Sequence, residues 1–407
     1  MPSLSEKLKS LGVNLGAREI LPPPERKRFP IEAIIDGREQ PTPYGPAFVV
    51  QAQFPDGYLQ GRILLSPAEK LNTISSWANE PRLNDLAPNE FVFLDTETSG
   101  LAGGTGTYAF LIGVGRFTDA GFELAQYFMR DPLEEPAQLA ALLSYLNEQD
   151  GLVTFNGKAF DVPLLNTRFI TNGEQTPLKS SAHLDLLLLA RRLWRDRLPS
   201  RALGHLEEHI LGVERTQEDV PGWLVPQLYF DYLRSGDARP LKSVFYHNAM
   251  DILSLAALLN HIAAILEHPV ISEDQHGIDL IAIGKLYEDL GELDEAEKRY
   301  SAGLAQDLPG EIRSQGMYRW SIMEKRRENY RMACELWCLA ANAGEIYACE
   351  ELAKYYEHHE KDYAQAISWT QKALQLITAD DFPRLERFRW LPAFEHRLDR
   401  LNRKLGT

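Results

Sequence analysis

The sequence predicts an α/β domain, a mixed sheet flanked by helices, followed by an all-α domain, and three observations carry that prediction. From Glu90 to about residue 267, short apolar runs bounded by Gly-rich turns come first and longer stretches of helical periodicity follow. Beyond Asp279 the strand signal stops and helical periodicity continues alone. The chain has 407 residues, 44% hydrophobic and 25% charged, enough for two or three soluble cores.

Residues 1–88 form an N-terminal extension rich in proline and short extended segments. Within it, PTPYGPAFVVQAQF and GYLQGRILLS are expected to pair as a hairpin around Pro55-Asp56-Gly57. Residues 89–268 make the α/β domain. Phe91 to Leu94, Tyr108 to Phe117 and Phe122 to Met129 read as three strands joined by tight turns. A helix follows in PAQLAALLSYLNEQ, where Pro136 suits a first-turn position. Then come the strand LVTF, the helix VPLLNTRFI and a strand-to-helix step at HLDLLLLARRLW. Helices in ALGHLEEHIL, PQLYFDYLRSG and SVFYHNAMDILSLAALLNHIAAIL complete the domain. Strands paired by turns, then helices crossing over, imply a mixed sheet.

Residues 279–407 read as helical repeats. Ala296, Ala333 and Ala366 each precede a second small residue by seven, namely Gly303, Ala340 and Ala373. The alanines lie 37 and 33 residues apart, close to the period of about 34 of tetratricopeptide repeats, in which small residues let paired helices approach. Generic amphipathic helices give such spacings too.

A formal charge of −15 argues against a protein that coats nucleic acid by neutralising phosphates, and leaves open an enzyme with a local basic groove. No apolar run is expected to approach the roughly 18 residues of a membrane span, and the N-terminus lacks the apolar core of a signal peptide, so no membrane role and a cytoplasmic location are expected. Cys334, Cys338 and Cys349 are the only cysteines. Reduced thiols are the expectation, since their spacing, even with His358 and His359, matches no standard zinc finger.

The chemistry centres on Asp95 and Glu97, at the end of the run Phe91-Val92-Phe93-Leu94. Side chains two apart on a strand face the same way, so both carboxylates aim at one point. They repel unless a cation or proton lies between them, and oxygen ligands favour Mg²⁺ or Mn²⁺. A D-x-E alone also ends many strands in a solvated turn. Asp161, in Asn156-Gly157-Lys158-Ala159-Phe160-Asp161, falls in the first turn of a helix above the sheet, as ligand or as N-cap. His247 and Asp251, four apart, share one face of the last long helix of the domain, as site residues or as a salt-bridging pair.

In that order, Asp95, Glu97, Asp161 and Asp251 resemble the four acidic positions of the DEDD 3′-5′ exonucleases, which have a ribonuclease H-like fold. The strings LDTETSGLAGGTGTYAFLIGVG, NGKAFD, HLDLLLLARRLW and HNAMDILSL most resemble the bacterial YprB-like ribonuclease H-like proteins, whose C-terminal part carries tetratricopeptide-like repeats. The resemblance implies hydrolysis of phosphodiester bonds in DNA or RNA with two Mg²⁺ or Mn²⁺ ions, roughly 3.5–4 Å apart in such sites. Asp95, Glu97 and Asp251 would share one ion, with Asp95 bridging, and Asp161 would reach the second through water. Thr98 and Leu101 would lie where the terminal nucleotide rests, or else cap a turn and fill a core. Asn156 would bind a phosphate or brace the strand end.

Relatives place a histidine five residues before the last aspartate, or a tyrosine four before it, to activate water. Here Tyr246 stands at five and His247 at four. Only His247 shares the Asp251 face, and an imidazole titrates near neutrality, so His247 is the expected base. Gly103-Gly104-Thr105-Gly106 offers close approach to a substrate or a permissive turn. Asp185 is expected to be an N-cap. Arg191, Arg192, Arg195, Arg197 and Arg201 form either a phosphate track or a solvated face. The repeats suggest a protein partner. A non-catalytic scaffold and a structure-specific endonuclease are the competing functions.

Overall fold

The structure, a computed structural model, describes residues 29–68, 70–100, 106–146, 150–267 and 275–406. Its centre is a seven-stranded mixed sheet in the order β1-β2-β7-β6-β5-β8-β9. These strands are β1 (Arg38–Thr42), β2 (Gly45–Phe54), β5 (Phe91–Thr98), β6 (Ala109–Thr118), β7 (Gly121–Phe128), β8 (Gly151–Thr154) and β9 (Ala182–Asp185); β3 (Leu59–Gln60) and β4 (Ile63–Leu64) form a separate ribbon. β5 runs antiparallel to β6 and parallel to β8, which is parallel to β9.

The expected hairpin around Pro55–Gly57 does not form. β2 pairs instead with β1 and with β7, and β3 turns back on β4. Residues of the N-terminal extension thus enlarge the same sheet. An exposed β7 edge would be left with unpaired backbone groups, and β2 covers it.

β5 is a central strand, and Phe91 to Leu94 are buried on both faces. Phe91 and Phe93 pack with Ile252, Leu255 and Leu258 of α7 (Leu241–Glu267). Val92 and Leu94 pack with Leu139 and Leu142 of α2 (Glu135–Leu146) and with Leu165 and Phe169 of α3 (Asp161–Thr171). Alternation along the strand carries these two faces on to its end, where Asp95 and Glu97 face α7 and Thr96 faces α3. α1 is the short helix Asn72–Ala78. By length and composition α7 could cross a bilayer, but most of it is buried against the sheet and its neighbours, as in the core helix of a folded domain.

α4 (Leu186–Trp194) follows β9 directly. The helix expected in ALGHLEEHIL is one α-turn, α5 (Leu203–Leu206), continued as a π-turn over Glu207–Leu211 that Gly212 ends at φ 67°. α6 (Val225–Ser235) leads to α7. The C-terminal region is all helical: α8 (Gly277–Leu290), α9 (Leu293–Leu304), α10 (Gly310–Arg326), α11 (Tyr330–Asn342), α12 (Ile346–Tyr355), α13 (Tyr363–Thr378) and α14 (Arg384–Leu405). Ala296, Ala333 and Ala366, on α9, α11 and α13, are fully buried. At each the small side chain lets the helix lie close to its neighbours; Gly284 of α8 shows the same need, since a Cβ there would meet the Tyr300 ring at 2.8 Å.

Two arginines of the basic stretch help to hold the two regions together. Arg192 pairs with Asp289 at 2.5 Å and Arg197 with Asp279 at 2.9 Å, both on α8, while Lys285 returns a pair to Asp196 at 3.3 Å. These pairs take Arg192 and Arg197 out of the candidate phosphate track, because cations bound to carboxylates are already neutralised.

Candidate active site

Three aspartates meet at the end of β5, each reached from a different element, and each has one carboxylate oxygen tied by a side chain of its own surroundings. Asp161 is the first residue of α3, on the Thr96 face of β5, and Thr96 Oγ1 donates to its Oδ1 at 2.5 Å. Asp95, on the opposite face, accepts at Oδ2 from Asn248 Nδ2 of α7 at 3.0 Å. Asp251, one turn further along α7, accepts at Oδ1 from the Arg215 guanidinium. Among the described residues no side chain donates a hydrogen bond to the remaining oxygen of any of the three, although backbone N–H groups of Thr96 and of Asp161 itself also favour the Asp161 carboxylate.

The Asn248 tether is built into the core. Asn248 is fully buried and its Oδ1 accepts from Gln126 Nε2 of β7 at 3.0 Å, while the same Gln126 amide reaches the Phe245 carbonyl at 2.9 Å. Room for this chain comes from Gly113 of β6, the register partner of Asp95. A Cβ on Gly113 would sit 2.2 Å from Asn248 Oδ1, so only glycine admits the amide.

Arg215 is the best-held cation in the site. Glu207, 1% exposed on the π-turn, grips it with both oxygens at 2.6 and 2.7 Å. The guanidinium also approaches Asp219 at 3.4 Å and His247 Nδ1 at 2.9 Å. Asp219 Oδ1 lies 2.8 Å from that same Nδ1. One nitrogen cannot accept from Arg215 and donate to Asp219 at once, so these contacts belong to two tautomers. His247 Nε2 faces Asp251 Oδ2 at 3.8 Å, whereas the Tyr246 hydroxyl accepts from the Thr216 backbone at 3.2 Å.

Electrostatics mark the carboxylates as a group. Burial pushes Asp95 well above the usual carboxylate range, and Asp251, Asp161 and Glu97 push it the same way, against the Asn248 hydrogen bond. Burial lifts Glu97 to about 8, opposed by His247 and Arg215. Burial raises Asp161 to about 6 despite the Thr96 bond, and raises Asp251 despite Arg215 and His247. Burial works against charge on His247, but Asp251, Glu97 and the Asp219 bond outweigh it and raise its pKa. An all-oxygen donor set that is short of positive charge, with one oxygen of each aspartate unclaimed by any side chain, fits hard divalent cations.

The remaining expected residues fall out unevenly. Thr98 follows an irregularity in the β5–β6 register, and its hydroxyl donates to the Gly100 carbonyl at 3.0 Å, which is the turn-capping role. Leu101, Gly103, Gly104 and Thr105 lie outside the described residues. Asn156 takes a left-handed φ of 64° and donates its backbone N–H to Asp185 Oδ1 at 2.7 Å, bracing the strand end. Asp185 caps α4 as expected, and its second oxygen accepts from Lys158 N at 3.1 Å, fixing the loop that delivers Asp161.

Among the described residues, one His/Glu group has its potential ligand atoms within 4.8 Å of one another, and it is His205, Glu208 and His209, not the acidic set, whose carboxylates are spread more widely. The cysteines are free thiols, two half-buried and one buried, with no such group around them.

Asn248, Gln126, Arg215, Glu207 and Asp219 were not singled out from the sequence. Asn248 alone had a readable signal: it lies three residues before Asp251, on the same helix face.

Residues 92–263 match the RNase H superfamily. The chain is 31% identical over 334 residues to an uncharacterized protein, YprB, of Bacillus subtilis (strain 168), covering 80% of this chain and 79% of that one. Among solved structures it is similar to the family B DNA polymerase of the hyperthermophilic archaeon Pyrobaculum calidifontis, at 16% identity and a TM-score of 0.34, over 57% of this chain and 30% of the polymerase chain. With that relative covered over most of both lengths, the chain belongs to the family of YprB, and its residues 92–263 form a domain of the RNase H superfamily.

Proposed function

We propose that the protein is a metal-dependent nuclease, a 3′-5′ exonuclease that hydrolyses phosphodiester bonds of DNA or RNA with Mg²⁺ or Mn²⁺. The observation that carries this reading is the set of three aspartates gathered at the end of β5, each oriented through one oxygen by a single side chain and with no side chain on the other. Asp95, Glu97 and Asp251 would hold one ion and Asp161 a second; the chemistry such ions supply is neutralisation of charge at phosphorus and activation of water.

The protein's own part is positional and protic. Thr96, Asn248 and Arg215 hold the ligands at fixed angles, as partners of ligating groups do. His247 takes the proton of the attacking water at Nε2. That role needs the tautomer in which Nδ1–H donates to Asp219, leaving Nε2 as acceptor. Asp219 then stabilises the imidazolium. The water oxygen bonds to phosphorus as the 3′ oxygen of the penultimate nucleotide leaves with the shared electron pair, and a nucleoside monophosphate is released. In the C-terminal region, the helix pairs with buried alanines support tetratricopeptide-like repeats that hold a protein partner.

The test is purified protein with 5′-labelled single- and double-stranded DNA and RNA and Mn²⁺. Stepwise shortening from the 3′ end is expected, with closed single-stranded circles intact and both Asp95→Ala and Asp251→Ala inactive. Cleavage that survives either substitution removes the site from the reaction. Cut circles would make the enzyme an endonuclease, and no cleavage of any substrate would favour the scaffold reading.

A further inference from the structure

One turn of the α/β domain carries a ligand set of a different kind from the acidic site. His205 lies on α5, and Glu208 and His209 lie on the π-turn that continues it. Residues three and four apart share a helix face, and one potential ligand atom of each side chain lies within 4.8 Å of the other two. The two imidazole rings have their centroids 4.1 Å apart and their planes at 31°. Glu208 Oε2 stands 3.7 Å from His209 Nδ1. The three side chains thus converge without any partner from another element being needed.

The ring nitrogens are set for ligation. His209 Nδ1 lies 3.1 Å from the His205 carbonyl oxygen. A carbonyl only accepts, so Nδ1 carries the hydrogen and Nε2 keeps its lone pair; metal-bound histidines hold their tautomer in the same way. His205 Nε2 is buried and has no hydrogen-bond partner. Leaving such a nitrogen unanswered is costly, and an ion bound among the three side chains answers it. Two imidazole nitrogens and one carboxylate oxygen suit Zn²⁺, whereas Mg²⁺ and Mn²⁺ prefer oxygen alone. Tetrahedral ligands at about 2.0–2.1 Å from zinc stand roughly 3.3 Å from one another, so small side-chain rotations complete the set. Glu208 and His209 are exposed and free to make them.

We propose that His205, Glu208 and His209 bind a Zn²⁺ ion, separate from the acidic site, that braces this turn. Between the ligands sits Glu207, buried, whose two oxygens hold Arg215. The ion therefore pins the same turn from which Glu207 reaches into the domain. Three protein ligands leave one position to water, so zinc is held less tightly than in a closed four-ligand site.

The experiment titrates the metal-free full chain with Zn²⁺ by calorimetry and with Co²⁺ by visible absorption, in the wild type and in Asp95→Asn. Zinc binding should persist in Asp95→Asn. Co²⁺ should show the visible bands of a nitrogen-ligated ion of low coordination number, without the thiolate charge-transfer band that the cysteines would give. His209→Gln and Glu208→Gln, each added to Asp95→Asn, alter exposed side chains and should melt like their parent in the absence of zinc. Each should weaken Zn²⁺ binding at least about tenfold, since a lost ligand costs no less than a lost partner of one. Each should also abolish the rise in Tm that zinc gives the parent. Amide exchange over residues 203–211 should slow on adding zinc to the parent and stay unchanged in His209→Gln. Equal zinc affinity in the parent and His209→Gln refutes the site. Zinc binding that vanishes with Asp95→Asn, or a thiolate band with Co²⁺, puts the ion elsewhere and refutes it too. None of these readouts depends on nuclease activity.

Discussion

Replacing Glu97 with glutamine should make the metal-free protein more stable at neutral pH, because the site stores repulsion that only a cation relieves. Glu97 is 9% exposed and its pKa is lifted from 4.5 to about 8. The folded state therefore binds this proton more tightly than the unfolded chain does, and stability falls as pH rises from about 4.5 towards 8. At pH 7 the unfolded carboxyl lies about 2.5 pH units above its pKa, and about 1.4 kcal/mol per unit gives a cost of about 3 kcal/mol. Neighbouring carboxyls that share the proton lower this, so about 3 kcal/mol is the ceiling on what Glu97→Gln can recover. For a domain of this size that is a rise in Tm on the order of 5–10 °C. The assay is thermal unfolding of EDTA-treated protein at pH 5 and pH 7. The variant should gain at pH 7 and little at pH 5, and Mn²⁺ should raise the wild-type Tm more than that of the variant. A variant that melts lower than wild type at pH 7, or gains equally at both pH values, would refute the stored repulsion.

Asn248→Leu keeps the volume of the buried amide but frees Asp95 Oδ2. Calorimetric titration should show Mn²⁺ binding about 10–100-fold weaker, and unchanged affinity would mean that Asn248 does not orient Asp95. Arg215→Gln leaves buried Glu207 unpaired and should destabilise the fold by about 3–5 kcal/mol in denaturant titration. Adding Glu207→Gln should return much of that loss, whereas simple additivity would argue against the pair. Glu357, fully buried on the π-turn after α12, is driven to about 2 when Arg400 and Lys404 outweigh the effect of burial. A depressed carboxyl stabilises above its unfolded pKa of 4.5 and loses that contribution as pH falls towards about 2. Ellipticity of the helical region should therefore fall across that window, and Glu357→Gln should flatten the pH dependence; an unchanged acid transition would exclude this group.

What the sequence revealed tracks the range of the interactions. The β5 ligands were legible because strand alternation is a local rule, and Asp95 and Glu97 continue the odd-numbered series of Phe91 and Phe93. The buried alanines of α9, α11 and α13 were legible because close helix packing leaves a mark on composition at fixed spacing. The N-terminal hairpin was misread because Pro55-Asp56-Gly57 is a sound turn signal, yet pairing is chosen by which edge lies free, and the β7 edge is over sixty residues away in sequence. Arg192 of α4 and Arg197 just after it were equally opaque. Nothing in their own stretch discloses that Asp279 and Asp289 face them.

The three aspartate tethers differ in charge, and that difference orders the site. Thr96 and Asn248 are neutral donors, so they orient Asp161 and Asp95 and leave their negative charge to an ion. Arg215 orients Asp251 with a full positive charge that Glu207 holds in place. An ion held by Asp95, Glu97 and Asp251 would gain less from Asp251 than from the other two, since part of that carboxylate's charge is already answered by the guanidinium. The arrangement favours an ion seated firmly on the β5 side and a weaker hold towards α7, where His247 also lies. Near α7 a fixed charge does the positioning: Arg215 keeps Asp251 and His247 in register before any ion arrives. None of this is written in the D-x-E string. It comes from a buried glutamate on a π-turn that the helical periodicity of the segment conceals.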